Sequence, residues 1–256
     1  MKAIAIIPAR MAASRFPGKP MYEIRGIPMI GHCYFRTRMA LGVQGTYVAT
    51  CDQEIAEYVR LIGGRAIMTS SLHNRASDRT AEAIGLIEGG SGSRVDVVIM
   101  VQGDEPLILP SDISAMMAHF DDQAVEIVNI MSRLKTRAQF EDRNNVKFVV
   151  NQRMDALYFS REPIPSPCKV VESVPMYMQV GVIAFRRDVL SRFNSLSEST
   201  LEKIESVDMN RVLETGGRIR MVLTEAPMIG VDTLEEAEEV ARLIQNDQLF
   251  TTYATQ

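Results

Sequence analysis

Residues 4–8, Ile4-Ala5-Ile6-Ile7-Pro8, form a short apolar run that opens into Ala9-Arg10 and then Ser14-Arg15-Phe16-Pro17-Gly18-Lys19-Pro20. The run predicts a buried strand at the start of a domain. The segment after it predicts a bent loop, because Pro17-Gly18 is a turn pair and Gly18 lets the backbone approach a ligand closely. Arg10, Arg15 and Lys19 place three cations within ten residues. They repel one another unless an anion sits between them, and a triphosphate meets that requirement.

Working outward, runs rich in Val, Ile or Ala recur at residues 2–8, 45–50, 65–68 and 95–101, with helical patterns near 28–41, 52–62 and 77–88 between them. Pro28 is placed for a first helical turn, and Asp52 and Ser77 for N-caps. Strand–helix–strand repetition at this spacing predicts a parallel sheet with helices on both faces. Ligands of such sheets bind beyond the carboxyl ends of the strands, so the Arg10–Lys19 loop and the loop after Val101 share one edge. The fold class read here is α/β, a Rossmann-like, mostly parallel sheet with a nucleotide site.

The second half reads differently. Residues 124–132, 145–150, 154–159 and 178–186 resemble strands with few helices between them, and four prolines punctuate a loop at 163–175. Helices are expected at about 187–194 and 199–215, the latter ending at Gly216-Gly217. A strand at 218–223 and a helix from about 233 follow. The chain is therefore read as one domain over residues 1–256, with a smaller mixed α+β subdomain inserted at about 124–200.

Composition narrows the class. The 256 residues are 46% hydrophobic, enough to bury a sizeable core, and 28 Lys+Arg against 32 Asp+Glu give a formal charge of −4. No general affinity for nucleic acid follows from that balance. Cys33, Cys51 and Cys168 show no metal-ligand spacing and suit a reducing cytoplasm. No signal-peptide pattern precedes Arg10, and no stretch approaches the roughly 18 apolar residues of a membrane span. The expectation is a soluble cytoplasmic protein with no membrane partner.

Two carboxylates stand out. Val101-Gln102-Gly103-Asp104-Glu105-Pro106 follows the fourth strand, and Ile229-Gly230-Val231-Asp232-Thr233 precedes the last helix. A carboxylate at the end of a central strand is a common magnesium ligand. Magnesium takes one or two carboxylates plus phosphate oxygens and water, so Asp104 with Asp232 would suffice. The plainer alternative makes both of them turn residues or caps. Arg161, after a strand-like run, is a candidate partner for a substrate carboxylate, which a guanidinium matches bidentately.

The ordered set Ile7-Pro8-Ala9-Arg10, Ser14 through Pro20, Gly26-Ile27-Pro28-Met29-Ile30, Val48-Ala49-Thr50, Val101 through Pro106, Asn145-Val146-Lys147, Ala156 through Arg161 with Ile164-Pro165, and Gly230-Val231-Asp232-Thr233 resembles the CMP-Kdo synthetases. These are 3-deoxy-manno-octulosonate cytidylyltransferases, and the motifs cover nearly the whole chain. The resemblance implies a nucleotidyltransferase, GT-A-like fold. It implies a reaction in which CTP and a 3-deoxy-2-keto sugar acid give a CMP-sugar acid and pyrophosphate, for lipopolysaccharide or another surface glycan. It also implies a homodimer, formed through the inserted subdomain.

By the same resemblance, Ala9, Arg10, Ser14, Arg15 and Lys19 hold the nucleotide, with Ser77 and Arg79 on the base and ribose. Asp104 and Asp232 hold Mg2+; with Arg10 and Lys19 they form the catalytic set. Gln102 faces the sugar acid. Where the family usually reads His-Gln-Ser-Gly-Thr-Glu/Asp-Arg, this chain has His73-Asn74-Arg75-Ala76-Ser77-Asp78-Arg79, so Asn74, Arg75 and Ala76 depart and Ser77 replaces Thr. On the acceptor side, a His becomes Gln179, a Tyr becomes Ile183 and a Gln becomes Met209. Loss of polar groups there alters discrimination among sugar hydroxyls. The alternatives are a cytidylyltransferase for a different ulosonic or nonulosonic acid, and a non-catalytic nucleotide-binding relative.

Overall fold

The computed structural model describes residues 1–12, 15–166 and 174–254. In chain order, β1 (Ala3–Ala9) leads through a 3-10 turn (Lys19–Met21) and the short hairpin β2 (Glu23–Ile24) and β3 (Ile27–Pro28) to α1 (Met29–Arg38). β4 (Gly45–Thr50), α2 (Gln53–Leu61), β5 (Ala66–Met68), α3 (Ala76–Ser91) and β6 (Val97–Val101) complete the first half. Then come α4 (Pro110–Ala118), β7 (Ile127–Arg133), α5 (Arg137–Glu141), β8 (Lys147–Val150), β9 (Ala156–Ser160) and β10 (Tyr177–Arg186). α6 (Arg187–Ser195), α7 (Thr200–Glu205), α8 (Met209–Glu214), β11 (Arg220–Leu223), α9 (Leu234–Gln245) and α10 (Gln248–Thr251) follow.

The sheet order is β11-β7-β10-β6-β1-β4-β5, and along this path only β10 runs against its neighbours. The fold is thus the α/β, mostly parallel sheet that the strand–helix alternation predicts. Strand periodicity explains its two faces. Ala3, Ala5, Ile7 and Ala9 of β1 join one core, with α1, α2, α4 and α9 packed on it; Ile4 and Ile6 join the other, under α3, α6 and α8. β6 divides its side chains in the same way, Val97, Ile99 and Val101 against Val98 and Met100.

The segment at 124–200 is woven into this frame. β7 and β10 are strands of the main sheet, and β8 and β9 extend it from β10. What projects from the frame is therefore the β8–β9 ladder with its connections. The expected helix at 199–215 is two helices, broken where Ser206 adopts a left-handed φ of 53°. Pro28 precedes α1 and pairs with Glu23 in the hairpin, outside the first turn. Among the described residues, no helix is long and apolar enough to cross a membrane.

Candidate active site

Three loops meet beyond the carboxyl ends of β1 and β6. The loop after β1 is closed by Gly18 N donating to Met11 O at 3.0 Å, and Gly18 has a φ of +76°, which a glycine adopts without strain. Met11 N in turn donates to Asp52 Oδ2 at 2.8 Å. Asp52 does occupy the N-cap position of α2, yet its carboxylate anchors the cationic loop and makes no cap bond. Lys19 starts the 3-10 turn, with Pro20 buried behind it at the second position.

Lys19 Nζ reaches Asp104 Oδ2 at 2.6 Å, Asp232 Oδ1 at 2.9 Å and Val231 O at 2.9 Å. Its side chain is only 13% exposed. Burial pulls the ammonium pKa down, but Asp104 and Asp232 together outweigh burial, so it stands above its ordinary value. Asp232 is held by the turn before α9, where Thr233 and Glu236 form a capping box and Glu236 also accepts from the Asp232 NH at 2.7 Å. Its other oxygen takes Arg15 Nη2 at 2.6 Å, while Arg15 Nη1 donates to Asn144 at 2.8 Å. Arg10 donates to His73 O at 3.5 Å.

The acceptor wall comes from β10. Between Gln179 and Ile183 its register with β7 shifts, and the buried Asn129 of β7 fills the irregularity, donating to Val180 O at 2.8 Å and Val182 O at 2.9 Å. The same Asn129 accepts from Gln179 Nε2 at 2.8 Å. Gly181 thereby lies against Gln102, where an added Cβ would stand 2.9 Å from the Gln102 side chain. Gly181 N donates to Glu105 Oε1 at 2.7 Å. Burial, reinforced by Asp104, pushes the Glu105 carboxyl up to about 8 against the Gly181 bond.

Two cavities open at this junction. One of about 270 Å³ is lined by Ala9, Arg10, Lys19, His73, Ala76 and Arg79 among others, and one of about 690 Å³ by Asn144, Arg161, Gln179, Ile183 and Asp208 among others. Arg15, Arg75, Ala76, Gln102, Asp104 and Asp232 line both. Arg79, 3% exposed, donates through Nη1 to Thr69 at 2.6 Å, and its Nη2 is buried without a protein partner. His73 Nε2 contacts Glu82 at 2.5 Å and so braces this wall.

The structure therefore brings together Ala9, Arg10, Arg15, Lys19, Gln102, Asp104 and Asp232. Ser14 and Cys168 lie outside the described residues. Ser77 is not the cap of α3: Arg75 holds that position, and the Ser77 hydroxyl is buried inside the first turn with no partner. Arg161 borders the larger cavity, but Nε donates to Glu205 O at 2.8 Å, Nη1 to Arg143 O at 2.8 Å and Nη2 to Ser206 O at 3.3 Å. Those carbonyls take three of its five N–H groups and leave one on each Nη. Ile183 forms part of the wall, whereas Met209 is fully buried in the second core and lines neither cavity. Asn144 carried no sequence signal, and Glu105 carried only its place beside Asp104.

The site fits magnesium on the chemistry of its donors. Asp104, Asp232 and the Val231 carbonyl already gather three oxygens around one cation, the Lys19 ammonium. Among the described residues, no cluster of three or more His, Cys, Asp or Glu surrounds a metal position. Two carboxylates with room for phosphate and water is the arrangement magnesium favours.

Comparison with known proteins shows the family. The family model described as cytidylyltransferase matches residues 4–219. The 3-deoxy-manno-octulosonate cytidylyltransferase of Geobacter metallireducens is 40% identical over 97% of this chain and all of that protein. The protein of the same name from Escherichia coli is 39% identical over 96% of this chain and 97% of its own length. A solved structure of CMP:2-keto-3-deoxy-manno-octonic acid synthetase complexed with CTP superposes with a TM-score of 0.87 at 38% identity, covering 96% of this chain and 99% of that one. A glucose-1-phosphate thymidylyltransferase from Bacillus anthracis, 18% identical with a TM-score of 0.66, shares the fold alone.

Proposed function

The chain belongs to the 3-deoxy-manno-octulosonate cytidylyltransferase family, and from that premise we propose that it transfers CMP from CTP to the anomeric hydroxyl of Kdo, releasing pyrophosphate. The product would serve lipopolysaccharide or a related surface glycan. The observation that carries this reading is the junction itself, where Asp104, Asp232, Arg15 and Gln102 border both cavities. A nucleotide in the smaller cavity and a sugar acid in the larger one would meet there.

In the reaction, the anomeric hydroxyl gives up its proton to water and its oxygen forms a bond to the α-phosphorus as the bond from that phosphorus to the β-phosphate oxygen breaks and pyrophosphate leaves. Most of the acceleration in such a step is positioning and charge stabilisation. Arg10, Arg15 and Lys19 bind the triphosphate and take up the charge that develops on the leaving group. Arg79 offers its unpartnered Nη2 to an acceptor on the base or ribose. Gln102, packed on Gly181, orients the sugar acid at the junction. Asp104 and Asp232 would hold Mg2+, which when bound supplies Lewis-acid polarisation and a template for the reacting oxygens.

The reading extends to a homodimer in the cytoplasm. Among the described residues β9 pairs with β8, and Leu157 on it is 57% exposed. A large apolar side chain exposed there favours a second copy as its cover. Cys33 and Cys51 are free thiols, in keeping with a reducing compartment.

Pyrophosphate release, assayed with CTP against a panel of ulosonic and nonulosonic acids, tests the reading. Turnover with Kdo is expected. Turnover with another acid and none with Kdo would overturn the acceptor and spare the class. CTP binding without turnover of any acid would favour a non-catalytic relative. Unchanged turnover in Asp104→Asn would overturn the metal assignment.

A further inference from the structure

Arg75 stands where the two cavities meet and lines both. Its guanidinium pairs through Nη2 with Glu198 and through Nη1 with Glu202. Glu202 does not depend on it. That carboxylate, 2% exposed, already takes Arg211 Nε at 2.7 Å and Nη2 at 2.5 Å, and accepts from the Ser199 NH at 3.1 Å. Glu198 is 47% exposed on its side chain, so water screens its attraction for Arg75. A guanidinium whose one partner is otherwise neutralised and whose other is largely solvated exchanges partners at low cost.

Chemistry says where a carboxylate must go. In the cyclic form of a 2-keto sugar acid, one anomeric carbon carries both the carboxylate and the hydroxyl that attacks phosphorus. The carboxylate therefore lies next to the reacting centre, at the junction of the cavities and away from the far end of the larger one. Arg161 and Lys203 line only the larger cavity, and Arg161 already donates from all three nitrogens to carbonyls. Arg15 lines both, but in the proposed reaction the triphosphate takes it; at rest it pairs with Asp232 at 2.6 Å and Asn144 at 2.8 Å. Lys19 is enclosed by Asp104, Asp232 and Val231. Arg75 remains, a planar fork matched to a carboxylate and rooted on the residue that caps α3.

We propose that Arg75 grips the carboxylate of the acceptor sugar acid, leaving Glu198, its resting partner, when the substrate enters; this rests on the reading of the larger cavity as the acceptor site. Glu198 then competes with substrate for the same guanidinium. Arg75 and Glu198 thus act in opposite senses on acceptor affinity. A purely structural strap between α3 and α7 would give them the same sense.

The test is steady-state kinetics of the full chain with CTP and Kdo, for wild type, Arg75→Ser, Arg75→Lys and Glu198→Gln. Arg75→Ser should raise the KM for Kdo about tenfold or more, the range of a lost charge-assisted bond, with the KM for CTP within about twofold of wild type. Arg75→Lys should fall between, since it keeps the charge and loses the fork. Glu198→Gln should lower the KM for Kdo. Arg75→Ser and Glu198→Gln shifting that KM in the same direction, or Arg75→Ser weakening CTP as much as Kdo, would overturn the assignment. Wild type without turnover on any sugar acid would overturn the functional reading and this one with it. An active wild type with an unchanged Arg75→Ser would overturn this one alone.

Discussion

Lys19 Nζ lies 2.6 Å from Asp104 Oδ2, although the two residues are 85 positions apart in the chain. One comes from the loop after β1 and the other from the loop after β6, adjacent strands of the sheet. With Asp232 completing the contact, a protein ammonium holds the two carboxylates proposed above as magnesium ligands.

Lys19→Met should therefore have two opposite effects. Removing the internal cation frees both carboxylates, so Mn2+ titrated into the nucleotide-free protein and followed by EPR should bind about tenfold more tightly or better. Turnover should fall by about a hundredfold or more, because a cation on the leaving group is lost. Unchanged Mn2+ affinity would show that Lys19 and the metal do not share these oxygens.

Ser77→Ala should cost less than about 0.5 kcal/mol and could stabilise the protein, since an unpartnered buried hydroxyl contributes desolvation and no bond. A helix cap in its place would cost about 1 kcal/mol. Urea unfolding distinguishes the two, and a loss of about 1 kcal/mol or more would restore Ser77 to the cap.

His32 predicts an acid limit to stability. Its Nε2 meets Ile24 O and its Nδ1 the Tyr253 hydroxyl, both at 2.8 Å. Burial first, with Arg36 adding to it, lowers its pKa to about 4 from 6.5, against the Ile24 bond. The folded state thus binds this proton more weakly than the unfolded state does. The stabilisation is complete above pH 6.5 and is lost as pH falls through about 4, on the order of 3 kcal/mol in all. Unfolding free energy measured from pH 7 to 4 should fall more steeply for wild type than for His32→Gln, which cannot take up the proton. Parallel profiles would contradict the buried neutral imidazole.

Much of this was readable in the chain because it is locally encoded. The alternation in β1 and β6, the Pro17-Gly18 bend and the three cations each lie within one short segment. Signals for α4 and α5 also exist, Pro110 at a first turn and the Thr136–Gln139 capping box, but apolar periodicity over so few residues is weak. The roles of Arg161, Asp52 and Ser77 were not readable. Their partners lie elsewhere: Glu205, 44 residues from Arg161, and Met11, 41 from Asp52, while Ser77 has none. The left-handed Ser206 that splits the helix at 199–215 has no residue signature, since serine rarely adopts that conformation.

The proposed reaction makes a phosphodiester between CTP's α-phosphate and a sugar acid. Phosphorus NMR of the protein mixed with CTP, Mg2+ and Kdo observes that bond directly. A new CMP-sugar phosphodiester resonance, growing in step with pyrophosphate, is the result predicted here. CTP left intact, or cleaved to free CMP with no sugar phosphodiester, would contradict it.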